Sequence, residues 1–436
     1  MISSQSFNQD LLTFLASSPT PFHATAAMAN ALKAAGFNQL FEHEAWQLKP
    51  QKGYFVTRND SSIIAFTTGN ENYTQQGFRM TGAHTDSPCL KIMPNAERYQ
   101  QGYFQLGLEV YGGVLLAPWF DRDLSLAGRV SYSTQSGKLN SSLIDFEKPV
   151  GIIPSLAIHL DREANDKRSI NPQKDIPVIL GQLPKDQTSF RQLLLEQLQQ
   201  QGIEDVTKVL DYEVVCYDTQ PPGYIGLNQE FIASARLDNL LSCYTGLVAL
   251  IDAFQQDQQQ PMLLVCNDHE EVGSLSACGA NGPFLKSTLE RVVGIGEPLI
   301  VCLENSLMIS ADNAHGIHPN FADKHDTNHG PKLNEGPVIK INANQRYATT
   351  SETSALFRWV CDEVNVPVQA FVTRADMACG STIGPITAGE LGVRTLDVGA
   401  PTFAMHSIRE LAGSQDAYSL CKALSYFMQL HQLPNK

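Results

Sequence analysis

The sequence predicts an α/β fold in which helices cover both faces of a mixed sheet and a β-rich domain is inserted into the chain. Three features indicate this fold. Continuous apolar runs alternate with helical patterns after residue 233, as expected for strands buried between helices. Residues 98–230 instead show short β-like runs separated by turns. At 436 residues, the chain also exceeds one typical domain.

The N-terminal segment, residues 1–92, is predicted to open the main domain. Helices are expected over residues 5–17 and 22–35, divided by SSPTP and ending at Gly36. Strands follow at YFVTR and SIIAFTT, and then at FRMTGAHTDSP in residues 78–88.

The inserted β-rich domain is predicted at residues 93–232. Its strand-like runs are YFQLGLEVYGG, GRVSYST and SSLIDF, and SFRQLLLEQLQQQG is its one helical pattern. The segment DTQPPGYIGL, residues 218–227, is expected to be the exit linker.

Residues 233–436 are predicted to complete the main domain. A helix is expected at about 237–256, and TSALFRWVCDEVN forms another helical pattern. Strands are expected at PMLLVCND (261–268), PLIVCLENS (298–306), QAFVTR (369–374) and VRTLDVGA (393–400).

Charge and cysteine content limit the possible partners and compartment. The net charge of −14 argues against nucleic-acid binding, which requires basic patches. Nine cysteines without a CxxC pair indicate reduced thiols. The N-terminus MISSQSFNQDLL lacks the pattern of a signal peptide, and no stretch is expected to reach the ~20 apolar residues that span a bilayer. We therefore expect a cytoplasmic protein that binds no membrane.

Histidines and carboxylates follow the predicted strands at widely separated places in the chain. They are His84, Asp86, Glu270, Glu271, Asp312 and His406, and Asp238 opens the helix after the insertion. Because ligands in open α/β sheets bind at the carboxyl ends of strands, these residues are expected to converge. Each also has an ordinary alternative, such as a solvated turn for the two glutamates or a helix N-cap for Asp238.

A set of histidine and carboxylate ligands without cysteine suits zinc, manganese or cobalt. Two histidines and three carboxylates exceed the usual ligands of one catalytic zinc and match a two-metal site with one bridging carboxylate. Asp86 would orient the His84 imidazole, and one further acid would be free as a general base. The chain has neither HExxH nor GxSxG, which excludes those two kinds of hydrolase site.

Several long motifs occur along nearly the whole chain and together resemble the M18 family of metallopeptidases, the aspartyl aminopeptidase family. They are TGAHTDSPCLKI, IPSLAIHLDRE, SARLDNLLSCY, DHEEVGSLSACGA, SADNAHGIHPNF, GPVIKINANQRYAT, CGSTIGP and MHSIREL. The resemblance implies a dinuclear-metal aminopeptidase domain formed by both ends of the chain and an inserted dimerisation domain. It also implies a homo-oligomer, a tetrahedral dodecamer.

The resemblance also implies roles for individual residues. Asp238 would bridge two divalent metal ions, most simply zinc, with manganese and cobalt as alternatives. His84 and Asp312 would complete one ion's ligands, and Glu271 and His406 the other's. Glu270 would be the general base, and Asp86, which would orient the His84 imidazole, is the second expected catalytic residue. The expected substrate-binding residues are His159, from a neighbouring subunit, and Lys340, Tyr347, Gly380 and Ser381.

The expected function is removal of the N-terminal residue from peptides, with a preference for Asp or Glu. Two alternatives remain at this point. The first is another dinuclear-metal amidohydrolase or carboxypeptidase, and the second is a catalytically silent peptide-binding assembly protein. For Lys340 and His159, the ordinary alternatives are a solvated strand lysine and a satisfied core histidine. The four histidines at 315, 318, 325 and 329 are expected to form a polar loop, at most one of them touching substrate.

Overall fold

A computed structural model of the chain describes residues 3–182 and 189–434, so residues 183–188 of the predicted insertion and the outermost residues of both ends lie outside the description. The helices are α1 (Ser4–Ala16), α2 (Pro21–Ala34), α3 (Tyr73–Gln76), α4 (Ala164–Lys167), α5 (Pro172–Asp175), α6 (Phe190–Gln200), α7 (Leu237–Gln256), α8 (Phe284–Val293), α9 (Glu297–Glu304), α10 (Ser351–Glu363), α11 (Ile383–Leu391) and α12 (Asp416–Met428). The strands are β1 (Asn38–Leu40), β2 (Gly53–Arg58), β3 (Ser62–Thr67), β4 (Arg79–His84), β5 (Cys89–Gln100), β6 (Tyr103–Tyr111), β7 (Leu124–Ser133), β8 (Leu139–Asp145), β9 (Val178–Gly181), β10 (Lys208–Asp218), β11 (Gly223–Ile225), β12 (Phe231–Ser234), β13 (Met262–Asn267), β14 (Leu307–Ala311), β15 (Ala314–His315), β16 (Val338–Ile341), β17 (Gln369–Val372), β18 (Arg394–Gly399), β19 (Pro401–Phe403) and β20 (Glu410–Gly413).

The chain divides into two compact units. The first contains Met1–Ser87, Pro222–Met405 and Glu410–Lys436, and the second contains Pro88–Pro221 and His406–Arg409. These limits fall earlier than residues 93 and 232, because β5 runs without interruption from Cys89. Within the expected linker, β11 pairs with β12, which belongs to the first unit.

The first unit is built on a mixed sheet. Its described strands lie in the order β1-β2-β3-β13-β4-β14-β18-β16-β17, and β13, β4, β14 and β18 are parallel neighbours. A second sheet of the unit has the order β11-β12-β20-β19-β15.

Helices cover both faces of the large sheet. Along β13, Leu264 and Cys266 belong to the core that contains α1, α2, α7, α10 and α12. The alternate residues Leu263 and Val265 belong to the core that contains α8, α9 and the start of α11. Because successive strand residues point to opposite faces, a continuous apolar strand can serve both cores. The predicted fold class is confirmed.

The second unit is β-rich, as predicted for the middle of the chain. Its described strands form an antiparallel sheet in the order β8-β7-β10-β5-β6-β9. The helix α6 packs Phe190, Leu194 and Leu198 into the core of this sheet. Burial of this apolar face is what stabilises a helix of this length.

Local sequence signals account for the first two helices. Ser3 caps α1 by accepting the Ser6 N–H, and Thr20 caps α2 by accepting the His23 N–H. Pro21 occupies the first turn of α2, where its missing N–H costs nothing. Both helices lie within one residue of the predicted bounds.

The strand predicted at residues 298–306 is wrong. These residues form α9, and the strand is the following segment, β14. Pro298 in the first turn favours a helix start over a central strand. The buried side chains of α9 then repeat at helical rather than strand spacing: Leu299, Cys302 and Leu303.

One described helix, α7, is long and apolar enough to cross a membrane by length and composition. The expectation that no stretch reaches this length is therefore too strong. However, 83% of its apolar window is buried inside the protein, as in the core helix of a globular unit. α7 packs against β4, β13 and α12.

Candidate active site

Acidic residues and a histidine meet at one edge of the large sheet in the first unit. His84 is the last residue of β4, and Asp312 directly follows β14. Glu270 and Glu271 follow β13 on a short 3₁₀ helix, Glu270–Val272. Because the three strands are parallel neighbours, their carboxyl ends lie at the same edge.

The imidazole of His84 is buried at the centre of this group. Its Nε2 lies 3.5 Å from Asp238 Oδ1, 3.7 Å from Asp312 Oδ1 and 3.9 Å from Glu270 Oε2. Its Nδ1 lies 3.0 Å from the carbonyl oxygen of Asp86. A ring that donates from Nδ1 presents its Nε2 to the carboxylates, as in histidines that bind metal.

Asp86 has a second role that the sequence did not suggest. Its side chain lies 3.4 Å from His84 Nδ1, but its two carboxylate oxygens accept the backbone N–H groups of Glu270 and Glu271, each at 3.1 Å. Asp86 is fully buried. It therefore holds the 3₁₀ turn that carries both glutamates against the end of β4.

Asp238 is positioned from three sides at the beginning of α7. Its N–H donates to the carboxylate of buried Glu410 at 2.9 Å, and Ser87 Oγ donates to its carbonyl oxygen at 2.6 Å. The next residue, Asn239, donates from Nδ2 to the Ala311 carbonyl oxygen at 2.8 Å. Glu410 was not predicted as a site residue, although it lies within the motif MHSIREL.

Burial and the closeness of several carboxyl groups shift the pKa values of the residues in this cluster. Burial and the neighbouring acids raise the pKa of Glu270 to about 7 and that of Glu271 to about 11. Burial would lower the pKa of His84, but Glu270, Asp238, Asp312 and Asp86 raise it well above its usual value. Divalent cations would offset this mutual repulsion of carboxylates.

The donor atoms fit divalent metal ions. One atom each from His84, Asp238 and Asp312 lie within 4.8 Å of one another, and so do atoms of His84, Glu270 and Glu271. Nitrogen and oxygen donors without sulfur are the ligands that zinc, manganese and cobalt accept in catalytic sites. The residues present therefore fit the metal chemistry expected from the sequence.

Lys340, on β16, is buried rather than solvated. It is 2% exposed, and its Nζ lies 3.2 Å from Asp312 Oδ2 and donates to the Asn313 carbonyl oxygen at 3.1 Å. The same Nζ lies 5.1 Å from the ring centroid of Tyr347. Lys340 therefore contacts both the candidate metal ligand Asp312 and Tyr347, which is predicted to bind substrate.

A pocket of about 280 Å³ opens beside Tyr347 in the first unit. Gly380 and Phe371 also line it, together with three of the four loop histidines, His315, His318 and His325. Lys324 and Arg374 are the cationic residues of the described lining, and each has an acidic neighbour outside it: Arg374 pairs with Asp376 at 2.6 Å, and Lys324 Nζ lies 4.0 Å from Asp323 Oδ2. The fourth histidine, His329, pairs instead with Asp326 at 2.5 Å.

The chain matches a known family along nearly its whole length. The family model described as aminopeptidase I zinc metalloprotease (M18) matches residues 14–428. A probable M18 family aminopeptidase 2 of Ectopseudomonas mendocina is 61% identical over 427 residues, covering 98% of this chain and 99% of the relative. The chain belongs to the M18 family of zinc metallopeptidases. The resemblance drawn from the motifs is confirmed, and the protein is an aminopeptidase, a metal-dependent hydrolase.

Other M18 relatives agree in sequence and in fold. A probable M18 family aminopeptidase 2 of Pseudomonas fluorescens is 58% identical over 431 residues, covering 99% of this chain and 100% of the relative. The matching chain in the cryo-EM structure of the Ape4 and Nbr1 complex has a TM-score of 0.94 at 38% identity, covering 98% of this chain and 86% of that chain. The S. cerevisiae mApe1 dodecamer gives a TM-score of 0.84 at 28% identity, covering 97% and 96%.

Two residues assigned from the M18 motifs belong to the second unit. His406 has its Nδ1 3.1 Å from the Gly113 carbonyl oxygen, and its own carbonyl oxygen accepts the Leu115 N–H at 3.1 Å. His159 lies in an exposed turn, so it is not a core histidine. Their roles in metal and substrate binding stay predictions.

The M18 motif CGSTIGP forms the approach to α11. Gly380 lines the pocket, whereas Ser381 Oγ donates to the Arg346 carbonyl oxygen at 3.3 Å. Thr382 caps α11 by accepting the Gly384 N–H. The motif therefore joins the end of the pocket to the start of a helix.

Asp397, a fully buried acid in β18, was not predicted as a site residue. Its Oδ1 accepts the Thr382 hydroxyl, and its Oδ2 accepts the Ala348 N–H, each at 2.6 Å. These donors lie directly beside the predicted substrate residues Ser381 and Tyr347. The available signal was an acid inside the apolar run VRTLDVGA, since an acid is rarely buried without partners.

Proposed function

We propose that this M18 aminopeptidase uses two divalent metal ions per subunit to remove N-terminal residues from peptides, with a preference for Asp and Glu. The convergence of His84, Asp238, Asp312 and Glu270 in one buried cluster carries this proposal. A catalytically silent binding protein would have no need of such a concentration of buried carboxylates.

The metal ligands are assigned from the M18 motifs. Asp238 would be shared by both ions, His84 and Asp312 would hold one of them, and Glu271 and His406 would hold the other. Zinc is the expected metal, as the description of the family states. When bound, two such ions supply Lewis-acid polarisation of the scissile carbonyl and lower the pKa of a bound water.

Glu270 is the general base in this proposal. Its carboxylate takes a proton from the attacking water and returns it to the leaving amine. Asp86 holds the backbone of Glu270, so the base keeps its position while its side chain exchanges the proton. Removing Glu270 would therefore affect turnover more than metal binding.

The pocket beside Tyr347 supports the acidic preference. Its described lining holds Lys324, Arg374 and three histidines but no Asp or Glu, and Arg374 is paired with Asp376 outside the lining, 2.6 Å from Nη2 to Oδ2. Lys340 would pair with the substrate's first side chain only by sharing its contact with Asp312. Recognition of a carboxylate would thus draw on Lys324, and on Arg374 if the substrate replaces Asp376, rather than on Lys340 alone.

We propose a homo-oligomer, a tetrahedral dodecamer, in which His159 reaches a neighbouring active site. Exposed Leu156, Ile158 and Leu160 surround this histidine, and clustered exposed apolar side chains are typical of interfaces. The mApe1 relative is a dodecamer. We also propose a cytoplasmic location, since nine cysteines without a CxxC pair are typical of proteins from a reducing compartment.

A panel of aminoacyl substrates tests the proposal. Apo-protein is loaded separately with zinc, manganese or cobalt and assayed on Asp-, Glu-, Ala-, Leu- and Lys-anilides and on their N-acetylated forms. We expect turnover of free-amine substrates, fastest for Asp and Glu, and none of acetylated ones.

Each other outcome has a distinct meaning. Cleavage of the acetylated substrates would identify another kind of amidohydrolase. Equal rates on acidic and basic substrates would remove the acidic preference but leave the aminopeptidase assignment. Full metal loading without turnover of any peptide would support the silent binding protein.

A further inference from the structure

A thiol, an imidazole and a carboxylate lie together beside the glutamate turn, outside the proposed ligand set. Cys278 Sγ is 3.5 Å from His269 Nδ1, and the Asp268 carboxylate contacts the other ring nitrogen, with Oδ2 3.5 Å from His269 Nε2. One donor atom from each residue lies within 4.8 Å of the other two. These are three of the four side-chain types that bind zinc in proteins.

The backbone around the thiol is held firmly. The Cys278 carbonyl oxygen accepts Asn267 Nδ2 and Ser62 Oγ, each at 3.0 Å. Ser62 Oγ in turn accepts the Asp268 N–H at 2.8 Å. Hydrogen bonds to the last residue of β13 and the first residue of β3 therefore hold the backbones of Asp268 and Cys278 close together.

We propose that Asp268, His269 and Cys278 form a third metal site that takes a thiophilic divalent cation such as Zn²⁺. Tetrahedral zinc with bonds of about 2.3 Å to sulfur and about 2.0 Å to nitrogen places the two ligand atoms about 3.5 Å apart. The Sγ–Nδ1 distance in the protein is 3.5 Å, which equals the separation that zinc requires of these two atoms.

Binding requires three local changes, the first being that the Asp268 carboxylate turns from His269 Nε2 toward the ion at Nδ1. The Cys278 thiol releases its proton to solvent as sulfur becomes a ligand. The Nδ1 of His269, now 2.8 Å from Ser276 Oγ, exchanges that hydrogen bond for the metal. The His269 side chain is 28% exposed, which gives an ion a route to the buried thiol.

The ligand chemistry separates this site from the proposed catalytic pair. A thiolate favours zinc and disfavours manganese, whereas the nitrogen and oxygen set of His84, Asp238 and Asp312 accepts both. We therefore expect zinc-loaded protein to hold one more equivalent per subunit than manganese-loaded protein. The additional ion would join the two ends of the loop 268–278, which carries Glu270 and Glu271.

Cobalt provides a direct readout. The full-length apo-protein is titrated with Co²⁺ while near-ultraviolet thiolate-to-cobalt charge-transfer absorption is recorded, and bound metal is counted by mass spectrometry. We expect this band in the wild type, and its loss in Cys278→Ser together with one equivalent of metal. Cys89→Ser, a half-buried thiol of the second unit, is the matched control and should keep the band.

The cobalt titration can overturn the third metal site in two ways. A wild type without the band, or a band that persists in Cys278→Ser, overturns the third site. If Cys278→Ser does not fold, His269→Ala, which keeps the thiol, should lose the band, and retention there also overturns the site. Because the proposed catalytic ligands contain no sulfur, the band is independent of turnover. An inactive protein that shows it would contradict the proposed function alone.

Discussion

Asp86 explains how two adjacent glutamates can serve one site. Neighbouring residues on a regular strand point to opposite faces, so the pair can converge only beyond the end of β13. His269 has a left-handed backbone, with a φ of 65°, and starts the turn that follows this strand. The Asp86 carboxylate then accepts both glutamate N–H groups and holds the turn in place.

We expect Glu270→Gln to lower kcat by about 10²–10⁴-fold while bound metal is unchanged, because amide nitrogen cannot accept the water's proton. Steady-state kinetics and metal analysis of the same preparation provide the measurement. Glu335→Gln, at an exposed position, is the control and should behave as wild type. Normal turnover in Glu270→Gln would refute its role as base.

At the scale of elements, β18 supports the substrate pocket through one side chain. Asp397 binds Thr382 at the start of α11 and Ala348 in the loop before α10. Gly384 makes this contact possible, since a Cβ there would lie 2.4 Å from Asp397 Oδ1. Two pocket segments therefore share one buried acceptor.

Asp397→Ala should raise KM more than it lowers kcat, because the pocket segments lose their common anchor while the metal ligands keep theirs. Loss of a buried acceptor costs about 1–3 kcal/mol, or roughly 5–150-fold in affinity. Asp397→Asn keeps one acceptor oxygen and should recover part of the loss. A fall in metal content with unchanged KM would assign Asp397 to the metal site instead.

A second buried acid, Asp416, is the first residue of α12 and binds the backbone of a neighbouring loop. Asp416 Oδ2 accepts the Asn334 N–H at 2.7 Å and Oδ1 accepts the Gly336 N–H at 3.1 Å. Burial raises the pKa of Asp416 to about 7 from an ordinary value of 3.8. The folded protein therefore binds this proton more strongly than the unfolded chain does.

The contribution of Asp416 to stability should be complete below about pH 4 and be lost as the pH rises through about 7. Asp416→Asn removes this titration. The melting temperature of the wild type relative to the variant should therefore fall between pH 5 and 8, measured by thermal unfolding at constant ionic strength. A difference that does not change with pH would show that Asp416 does not titrate in this range.

At the scale of the whole molecule, each unit holds different parts of the proposed chemistry. The first unit contains the buried cluster and the pocket, and the second carries His159 among exposed apolar residues. In the proposed dodecamer, the assembly would bring His159 to another subunit's cluster.

Light scattering should give a mass near twelve times the 47.9 kDa of one chain. Leu160→Glu, at a leucine that is 75% exposed, should produce smaller species because charge would be buried at the interface. Leu139→Glu, equally exposed in the same unit at 74%, is the control and should keep the assembly. An unchanged mass for Leu160→Glu would exclude this loop from the interface.

Much of the fold and of the candidate site follows from local patterns in the sequence. The period of apolar residues predicts α1, α2, α7 and most central strands, since a helix or strand must bury one face. Residue types at strand ends predict His84, Glu270 and Asp312, because parallel strands deliver their ends to one edge, and Asp238 is predicted from the start of a helix. The M18 motifs add the individual roles.

Contacts between distant parts of the chain follow from the folded structure instead. Burial of Lys340 against Asp312, the contact of Asp86 with both glutamates and the anchor at Asp397 all join residues separated by 15 to 185 positions. The same holds for α9, whose apolar run suits either a strand or a helix until its neighbours are in place. A local sequence pattern predicts which face of a helix or strand is buried, but the partner of a buried charge depends on how the chain packs.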